Sequence, residues 1–414
     1  MNNKFFYTLI TISLLILLFP IRIYAESDNL NINSKYAILY NLDDDNIIYE
    51  KNADDRISVA SLTKIMTCIV ALENIQNLDD TIILNKNIFY GLIEANASVA
   101  GFNAGDKVSY RDLVMGALLP SGADATRALA FNISGSEEKF VELMNKKAND
   151  LGLLNTHFEN TTGLESANHY SSVKDISIIL KYALQNDNFK KMYTTKEYTT
   201  TNNLKFYSTL KKISNNYSIN IGNILGTKTG FTDEAGLCMS SIANYNGINY
   251  LLVTAGADYK GNTPWQLLDA ITIYNYFKDN YSYKFLINEN DYISSVKILY
   301  SKQKEYKVLS PITIKKYLNN SFDSNKLVIN YNGLTQLNYK NKIGDKIGIV
   351  SIIYEDKIID KFDVFLDTTI SFDLFEFLIQ KKYIYIIIVA CLFISFILIN
   401  KLKKRLKKKK THFI

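Results

Sequence analysis

The chain has 414 residues and a formal net charge of +6, but this charge is unevenly distributed. Eight basic residues lie between positions 401 and 410, and Lys4 and Arg22 add two near the N-terminus, which leaves the rest of the chain near −4. A mildly acidic surface gives no electrostatic basis for nucleic-acid binding. The three cysteines are too few for a disulfide scaffold and show no zinc-binding spacing.

Residues 1–25 have the features of a secretory signal peptide. Lys4 supplies the charged start, Phe5–Phe19 is a short apolar run, and Ala25 is a small residue at the expected cleavage point. An N-terminal anchor that stays uncleaved is the alternative. Both interpretations predict that the chain beyond Ala25 is exported.

Residues 26–282 combine strand and helix patterns and are expected to form one α+β domain. Alternating apolar residues on both sides of a polar turn at 43–46 predict a hairpin, and the apolar residues from Leu62 to Ile69 recur at helical spacing. Further helix patterns cover 110–119, 124–133, 137–151, 172–186 and 265–279, and strand patterns cover 236–244 and 249–255. Strands at both ends with helices between them predict a mostly antiparallel sheet that carries a helical subdomain.

Residues 283–370 change character and predict a second, small β-rich domain. Short apolar-alternating runs are separated there by Asn, Gly and Asp. The segment has no concentration of catalytic residue types, so we interpret it as a spacer or a binding module. Residues 371–382 follow, with an apolar helical face that predicts an amphipathic segment lying along a membrane; that face holds Phe372, Phe375, Leu378 and Ile379.

Residues 383–400 are predicted to form a transmembrane helix. The stretch Tyr383–Ile399 holds no charge and at 1.5 Å per residue is about 25 Å long. The positive-inside rule places the basic tail, residues 401–414, in the cytoplasm and residues 26–382 outside it, with the tail near anionic lipid head groups. The sequence therefore predicts a single-pass membrane protein, and its bias towards Ile, Lys and Asn favours a low-GC genome.

Ser61 and Lys64 form the most informative Ser-x-x-Lys pair in the sequence. That pattern occurs six times, beginning at Ser61, Ser136, Ser171, Ser208, Ser294 and Ser301. Only the first match lies at the start of a strongly apolar helix, where residues three apart share one face. Burial there would favour the neutral, basic form of the lysine, whereas Ser136 has the charged surroundings of a capped, solvated helix start.

Two further motifs follow in the same domain. Ser121-Gly122-Ala123 lies after Pro120, between two predicted helices, where a loop serine can project into a cleft and Asp124 can cap the next helix. Lys228-Thr229-Gly230 occurs once, in a predicted strand, and combines a charge and a hydroxyl for a carboxylate with a glycine that permits close approach of a ligand backbone. Alone, either motif would be weak, because an interhelical turn or a strand can hold the same residues.

In this order the three motifs resemble those of the penicillin-recognising serine acyl-transferases. More narrowly, residues 33–280 resemble the low-molecular-mass D-alanyl-D-alanine carboxypeptidases, peptidase family S11, and the β-rich segment and C-terminal anchor fit the topology of that family. The resemblance implies a β-lactamase/transpeptidase-like catalytic domain in a bacterial cell-membrane protein, and the residue bias then favours a low-GC Gram-positive bacterium. It also implies hydrolysis of peptidoglycan stem peptides that end in D-Ala-D-Ala, inhibition by β-lactams, and no cofactor or metal.

The resemblance also implies roles for individual residues. Ser61 would be the nucleophile and Lys64 its general base, with a pKa depressed by the nearby charge of Lys228. Ser121 would relay the proton to the leaving D-alanine.

Substrate contacts are implied for the third motif. Lys228 and Thr229 would hold the terminal carboxylate beside Gly230, and the backbone N–H groups of Ser61 and Phe231 would form the oxyanion hole.

One position departs from the family pattern, because Ala123 stands where the second motif usually has asparagine. The loss of its hydrogen bonds predicts a slower enzyme or an altered substrate preference. A protein that binds stem peptides or β-lactams without efficient turnover is therefore one alternative, and an endopeptidase or transpeptidase is another. A class A β-lactamase would need a Glu-x-x-Leu-Asn segment, which the sequence lacks. His157 and His169 are interpreted as packed or capping side chains, and neither lies in a zinc-protease motif.

Overall fold

The computed structural model describes residues 30–410. The predicted signal peptide lies outside the described residues, as do the last four residues of the basic tail. Within the described part, the chain divides into two compact units between Asn280 and Tyr281.

The first unit has strands at both of its ends and helices between them. In chain order its elements are β1 (Tyr36–Asn41), β2 (Asn46–Lys51), α1 (Thr63–Asn74), β3 (Thr81–Ile83), β4 (Lys107–Ser109), α2 (Tyr110–Leu118), α3 (Ala123–Ser134), α4 (Glu137–Asp150), α5 (Val173–Ala183), α6 (Asp187–Tyr193), β5 (Glu197–Thr199), β6 (Lys205–Tyr207), α7 (Thr209–Tyr217), β7 (Ile224–Thr232), β8 (Gly236–Tyr245), β9 (Ile248–Ala257) and α8 (Trp265–Asn280).

A five-stranded antiparallel sheet organises this unit, in the order β2-β1-β9-β8-β7. Strand β1 pairs with β9 from Tyr36↔Ala255 to Asn41↔Tyr250, which joins the two ends of the unit. Both strands are buried along most of their length, because helices α5 and α8 pack on β9. The predicted α+β class with an antiparallel sheet is confirmed, and β7 is its edge strand on the side of the candidate site.

Helix α1 lies at the centre of the helical layer. Every residue from Thr63 to Leu72 is buried, which an apolar helix requires when it is surrounded by protein. It contacts α2, α3, α4 and α5, so polar side chains on α1 are placed in a low-dielectric interior.

Two of the other Ser-x-x-Lys serines are helix caps. Ser136 Oγ accepts the backbone N–H of Lys139 at the start of α4, and Ser208 Oγ accepts that of Lys211 at the start of α7. A serine that caps a helix needs a backbone N–H three residues further on, and every residue type except proline supplies one. The predicted cap at Ser136 is therefore confirmed.

The second unit contains three small sheets and two C-terminal helices. Its elements are β10 (Tyr281–Ile287), β11 (Tyr292–Ile298), β12 (Glu305–Leu309), β13 (Ile314–Asn319), β14 (Leu327–Gly333), β15 (Gln336–Leu337), β16 (Lys346–Tyr354), β17 (Lys357–Phe365), α9 (Leu374–Gln380) and α10 (Lys382–Lys410). The sheets are β10-β13, β12-β11-β15 and β14-β16-β17. Val296, Val308 and Val350 lie in the core between the last two sheets.

Helix α9 packs against the bend that follows β11 in its own unit. The Phe377 ring lies 5.0 Å from that of Tyr300, and the N–H of Asp373 donates to the Tyr300 carbonyl at 2.8 Å. Phe375 on the same helix is 71% exposed. In α10, Ile384–Arg405 forms an apolar stretch of mean hydropathy 2.4 that is long enough to cross a membrane.

Candidate active site

Ser61 lies in a single 3-10 turn, Ala60–Leu62, directly before α1 begins at Thr63. Ala60 has a φ of +46°, in the left-handed region that costs a non-glycine residue about 1–3 kcal/mol. A loop residue holds this turn in place: a Cβ built on Gly163 would lie 1.9 Å from the carbonyl oxygen of Ala60. The serine is thus fixed by backbone packing rather than by the helix alone.

Lys64 lies one turn beyond Ser61 and points towards it. Its Nζ donates to Ser61 Oγ at 2.7 Å and to the Thr162 carbonyl at 2.6 Å. Burial lowers the pKa of Lys64 to about 7, although the nearby Cys68 and Asp124 act in the opposite direction. Near neutral pH a large fraction of this lysine is therefore uncharged and can accept a proton from the serine hydroxyl.

Lys228 and Ser121 form a second lysine–serine pair. Lys228 Nζ donates to Ser121 Oγ at 2.8 Å and to the Thr229 carbonyl at 2.7 Å. Burial, followed by repulsion from Lys64, holds the pKa of Lys228 well below its usual range. The repulsion that was expected to depress the pKa of Lys64 thus acts on Lys228, and at Lys64 burial is the cause.

Ser121 also has a left-handed backbone, with a φ of +66°, and is buried. Neither lysine forms an ion pair within residues 30–410. Two amines and two hydroxyls therefore share one polar region, to which each of the three motifs contributes.

Strand β7 brings Lys228, Thr229, Gly230 and Phe231 alongside the Ser61 turn. A Cβ built on Gly230 would lie 2.9 Å from the Ser61 backbone nitrogen and 3.0 Å from the Ala60 Cβ. The sequence predicted that this glycine admits a ligand backbone; the structure shows that it admits the nucleophile turn of this chain. Thr229 Oγ1 donates to Thr209 Oγ1 at 2.9 Å.

Phe231, the next residue of β7, exposes its ring at this edge of the sheet. The ring is 47% exposed and lies 4.8 Å from that of Tyr259, edge to face. These two rings give the rim of the candidate site an apolar surface.

Asp124 has a different role from the predicted helix cap. Helix α3 begins at Ala123, the N-cap is Gly122, and no side chain caps it. The buried Asp124 carboxylate instead accepts the N–H groups of a loop, at 2.7, 3.1 and 3.2 Å, from Ala100, Gly101 and Phe102. The N–H of Ala123 donates to the Ser98 carbonyl at 2.7 Å, so the segment 98–102 is fastened to the second motif.

Sequence reasoning missed the loop 159–170, which supports the first motif. Asn160 Oδ1 accepts the N–H groups of Thr162 and Gly163, which forms a tight turn. This turn presents the Thr162 carbonyl to Lys64. The Asn-Thr-Thr-Gly pattern indicates a turn, but a turn pattern does not indicate what the turn contacts.

His169 belongs to the same loop and is a packed side chain, as expected. Its Nε2 lies 2.8 Å from Thr63 Oγ1, and its Nδ1 accepts the N–H of Glu159 at 3.2 Å. Burial lowers the pKa of His169 to about 4, so the ring is neutral at physiological pH. Among residues 30–410, no cluster of His, Cys, Asp and Glu could hold a metal ion.

Comparison with known proteins agrees with this geometry. The family model of the D-alanyl-D-alanine carboxypeptidases, peptidase family S11, matches residues 23–259. D-alanyl-D-alanine carboxypeptidase DacF of Bacillus subtilis is 31% identical over 322 residues, which cover 73% of this chain and 79% of the relative.

Solved structures are similar as well. Penicillin binding protein 5 from Haemophilus influenzae is 25% identical with a TM-score of 0.62, over 83% of this chain and 98% of that one. The Streptomyces K15 DD-transpeptidase is 30% identical with a TM-score of 0.54, over 60% of this chain and 97% of that one. Because the family model matches more than half of the chain, the protein belongs to the D-alanyl-D-alanine carboxypeptidase family of serine peptidases.

Proposed function

We propose that this protein is a serine D-alanyl-D-alanine carboxypeptidase that removes the terminal D-alanine from peptidoglycan stem peptides. One observation carries the proposal: a fully buried amine, Lys64 Nζ, lies 2.7 Å from the hydroxyl of Ser61 and has a pKa of about 7. A serine hydroxyl becomes a competent nucleophile when a base of matched pKa lies within hydrogen-bond reach.

The first half-reaction transfers the peptidyl group to Ser61. Its Oγ attacks the carbonyl carbon of the bond between the two D-alanines, and Lys64 takes the hydroxyl proton. The tetrahedral oxyanion accepts hydrogen bonds from the backbone N–H groups of Ser61 and Phe231. The loss of one such donor costs about 2.7–4 kcal/mol of transition-state stabilisation. The C–N bond then breaks, and Ser121 relays a proton to the departing D-alanine amine.

Lys228 and Thr229 recognise the carboxylate at the end of the substrate. Lys228 is buried and its pKa is low in the free protein, but an arriving carboxylate favours its charged form. In the second half-reaction, water loses a proton to Lys64 and attacks the acyl–serine ester, whose C–O bond breaks as Lys64 returns a proton to Ser61 Oγ. β-Lactams acylate the same serine and mimic the peptide in this site.

A second candidate is transpeptidation, in which an amine instead of water accepts the peptidyl group. The likeness to the Streptomyces DD-transpeptidase favours it, and Ala123 in place of asparagine is compatible with an altered fate of the acyl-enzyme. The two reactions share the Ser61 ester and differ only in their product.

The C-terminal helix and the basic tail support a membrane location. We propose that α10 anchors the protein in the membrane of a bacterial cell, with its first unit on the outer face, where peptidoglycan lies. The eight basic residues between positions 401 and 410 would hold the tail at the cytoplasmic face. The residue bias of the sequence supports a low-GC Gram-positive source.

The test uses the full chain in detergent micelles with a pentapeptide that ends in D-Ala-D-Ala. Release of free D-alanine is measured for the wild type and for Ser61→Ala. The matched control is Ser136→Ala, which removes a serine of the same motif spacing from the start of α4. Release that requires Ser61 and not Ser136 is the expected result; equal release from Ser61→Ala would refute the proposal, and a peptide joined to an added amine would identify transpeptidation.

A further inference from the structure

A cavity of about 330 Å3 lies beside the candidate active site and has no part in the chemistry described above. Its lining includes Arg56, Ser58, Glu165, Tyr170 and Glu234. These residues come from the segment before Ser61, from the loop 159–170 and from the turn after β7.

The segments that line this cavity are continuous in the chain with residues around the nucleophile Ser61. Ser58 precedes Ser61 by three residues, and Glu165 follows Gly163, whose backbone touches the Ser61 turn. Glu234 lies in the turn after β7, four residues beyond Gly230. Since a strand advances about 3.3 Å per residue, the end of β7 at Thr232 lies about 7 Å from Gly230.

An extended peptide along β7 would therefore reach the cavity. With its terminal carboxylate at Lys228 and its reacting carbonyl at Ser61, the next residue towards its N-terminus lies beyond Phe231. A long side chain on that residue, the third of the stem peptide, would point its end into the cavity.

The charges of the cavity are of both signs. Arg56 is held in place, because its Nε donates to Asn155 Oδ1 at 3.1 Å, its Nη2 donates to the Leu154 carbonyl at 3.1 Å, and its guanidinium lies 4.9 Å from the Tyr170 ring. These contacts leave Nη1 without a partner among residues 30–410.

The negative charges come from Glu165 and Glu234, and Glu165 Oε1 accepts the backbone N–H of Glu234 at 3.0 Å. This bond fixes the turn after β7 to the loop 159–170. Oε2 of Glu165 and both carboxylate oxygens of Glu234 accept no hydrogen bond from any residue between 30 and 410. A cavity that has both carboxylates and a guanidinium in its lining suits a ligand that carries both charges.

We propose that this cavity is a subsite for the third residue of the stem peptide and that it selects a side chain ending in a zwitterion, as in a diamino-dicarboxylic acid. Glu165 and Glu234 receive the ammonium group, and Arg56 receives the carboxylate. A lysine side chain satisfies only the two glutamates, and an uncharged side chain satisfies neither. The inference rests on the proposed function, because it requires a stem peptide to lie along β7.

Three peptides test the subsite, identical except for the third residue: meso-diaminopimelate, lysine or norleucine. The full chain releases D-alanine from each, and kcat/KM is compared. We expect diaminopimelate to exceed lysine, and lysine to exceed norleucine, by about tenfold at each step, as for a hydrogen bond to a charged group. Equal values for all three peptides would overturn the subsite, and equal values for diaminopimelate and lysine would overturn the role of Arg56.

Variants show which residue causes each difference in kcat/KM between the peptides. Glu234→Gln is expected to reduce the ratio of kcat/KM for the lysine peptide to that for the norleucine peptide. Arg56→Gln is expected to reduce the ratio of kcat/KM for the diaminopimelate peptide to that for the lysine peptide. Glu142, an exposed glutamate on α4, provides the control, because Glu142→Gln makes the same charge change as Glu234→Gln and should leave both ratios unaltered. Because ratios are compared, a variant that only folds less well lowers all rates and leaves the ratios intact. Ratios that respond equally to Glu142→Gln would refute the assignment.

Peptide binding separates this inference from the proposed function. The same peptides are used to protect the protein from acylation by a fluorescent penicillin, which needs no turnover. The same ranking without D-alanine release would support the subsite and refute the carboxypeptidase. D-alanine release without a ranking of the peptides in either assay would support the carboxypeptidase and refute the subsite.

Discussion

Replacing Lys64 by methionine should abolish acylation and yet stabilise the protein at neutral pH. Lys64 is 2% exposed, and its pKa falls from 10.5 to about 7 on folding. The unfolded chain therefore binds more protons than the folded one between these values, so the stability of the wild type rises with pH across this window. At about 1.36 kcal/mol per pKa unit, the buried lysine costs about 4 kcal/mol at pH 7 and about 2 kcal/mol at pH 9.

Methionine has a similar volume and no charge, so the Lys64→Met variant escapes this cost. The variant also loses the hydrogen bond to the Thr162 carbonyl, and an unsatisfied buried group costs about 1–3 kcal/mol. The net effect is a gain of about 2 kcal/mol at pH 7 that shrinks with pH and changes sign near pH 9. The sign change is the specific signature of a buried lysine that folds uncharged.

The single tryptophan of the chain makes this measurement possible. Trp265 lies in α8, so its fluorescence follows the unfolding of the catalytic unit by urea, in the full chain in detergent. Unfolding free energies of the wild type and of Lys64→Met are compared from about pH 6 to about pH 10, the range over which the linkage acts. A variant less stable than the wild type at pH 7, or a difference independent of pH, would refute this account of Lys64.

Four further outcomes follow from the same geometry. Because Lys64 must be neutral to accept a proton, acylation by benzylpenicillin should rise with pH through about 7; a flat stopped-flow profile between about pH 5.5 and 8.5 would contradict its role as the base. Gly230→Ala should slow acylation about 100-fold, because a Cβ 2.9 Å from the Ser61 nitrogen displaces the nucleophile turn; wild-type rates would show that the turn is not held by β7. Asp124→Ala should destabilise the catalytic unit by about 3 kcal/mol or more, because three loop N–H groups lose a charged acceptor. Asp124→Asn should recover part of this loss when unfolding is followed by the same tryptophan fluorescence. Equal stability of the wild type and both variants would contradict the anchoring role of Asp124. Ala123→Asn should raise kcat/KM for D-alanine release by about tenfold through a restored amide hydrogen bond. An unchanged value would show that the absence of asparagine at this position does not limit the reaction.

The sequence predicted what depends on local pattern and on motif order. Periodicity and turn residues predicted three elements of the first unit: helix α1, the hairpin of β1 and β2, and the strand that carries Lys228. The pairing of Ser61 with Lys64 was also predictable, since residues three apart on one helix lie on one face.

Contacts made across the chain could not be predicted in the same way. The Thr162 carbonyl lies 98 positions from Lys64 in sequence, and the loop held by Asp124 lies more than 20 positions away. An aspartate at the start of a helix usually serves as a cap, and only the tertiary fold shows that its acceptors face a loop. Gly230 was predicted to be a position of close approach, but its partner could be named only from the structure.

The open edge of β7 also bears on how this protein behaves at high concentration. An unpaired strand edge is a template on which other chains can add and aggregate. Helix α6 closes the start of this edge, since a Cβ on Gly226 would lie 2.6 Å from the Tyr193 carbonyl, and the Ser61 turn abuts Gly230 further along. These two contacts cover the edge at Gly226 and at Gly230, so the strand has no long uninterrupted edge on which a second molecule could pair.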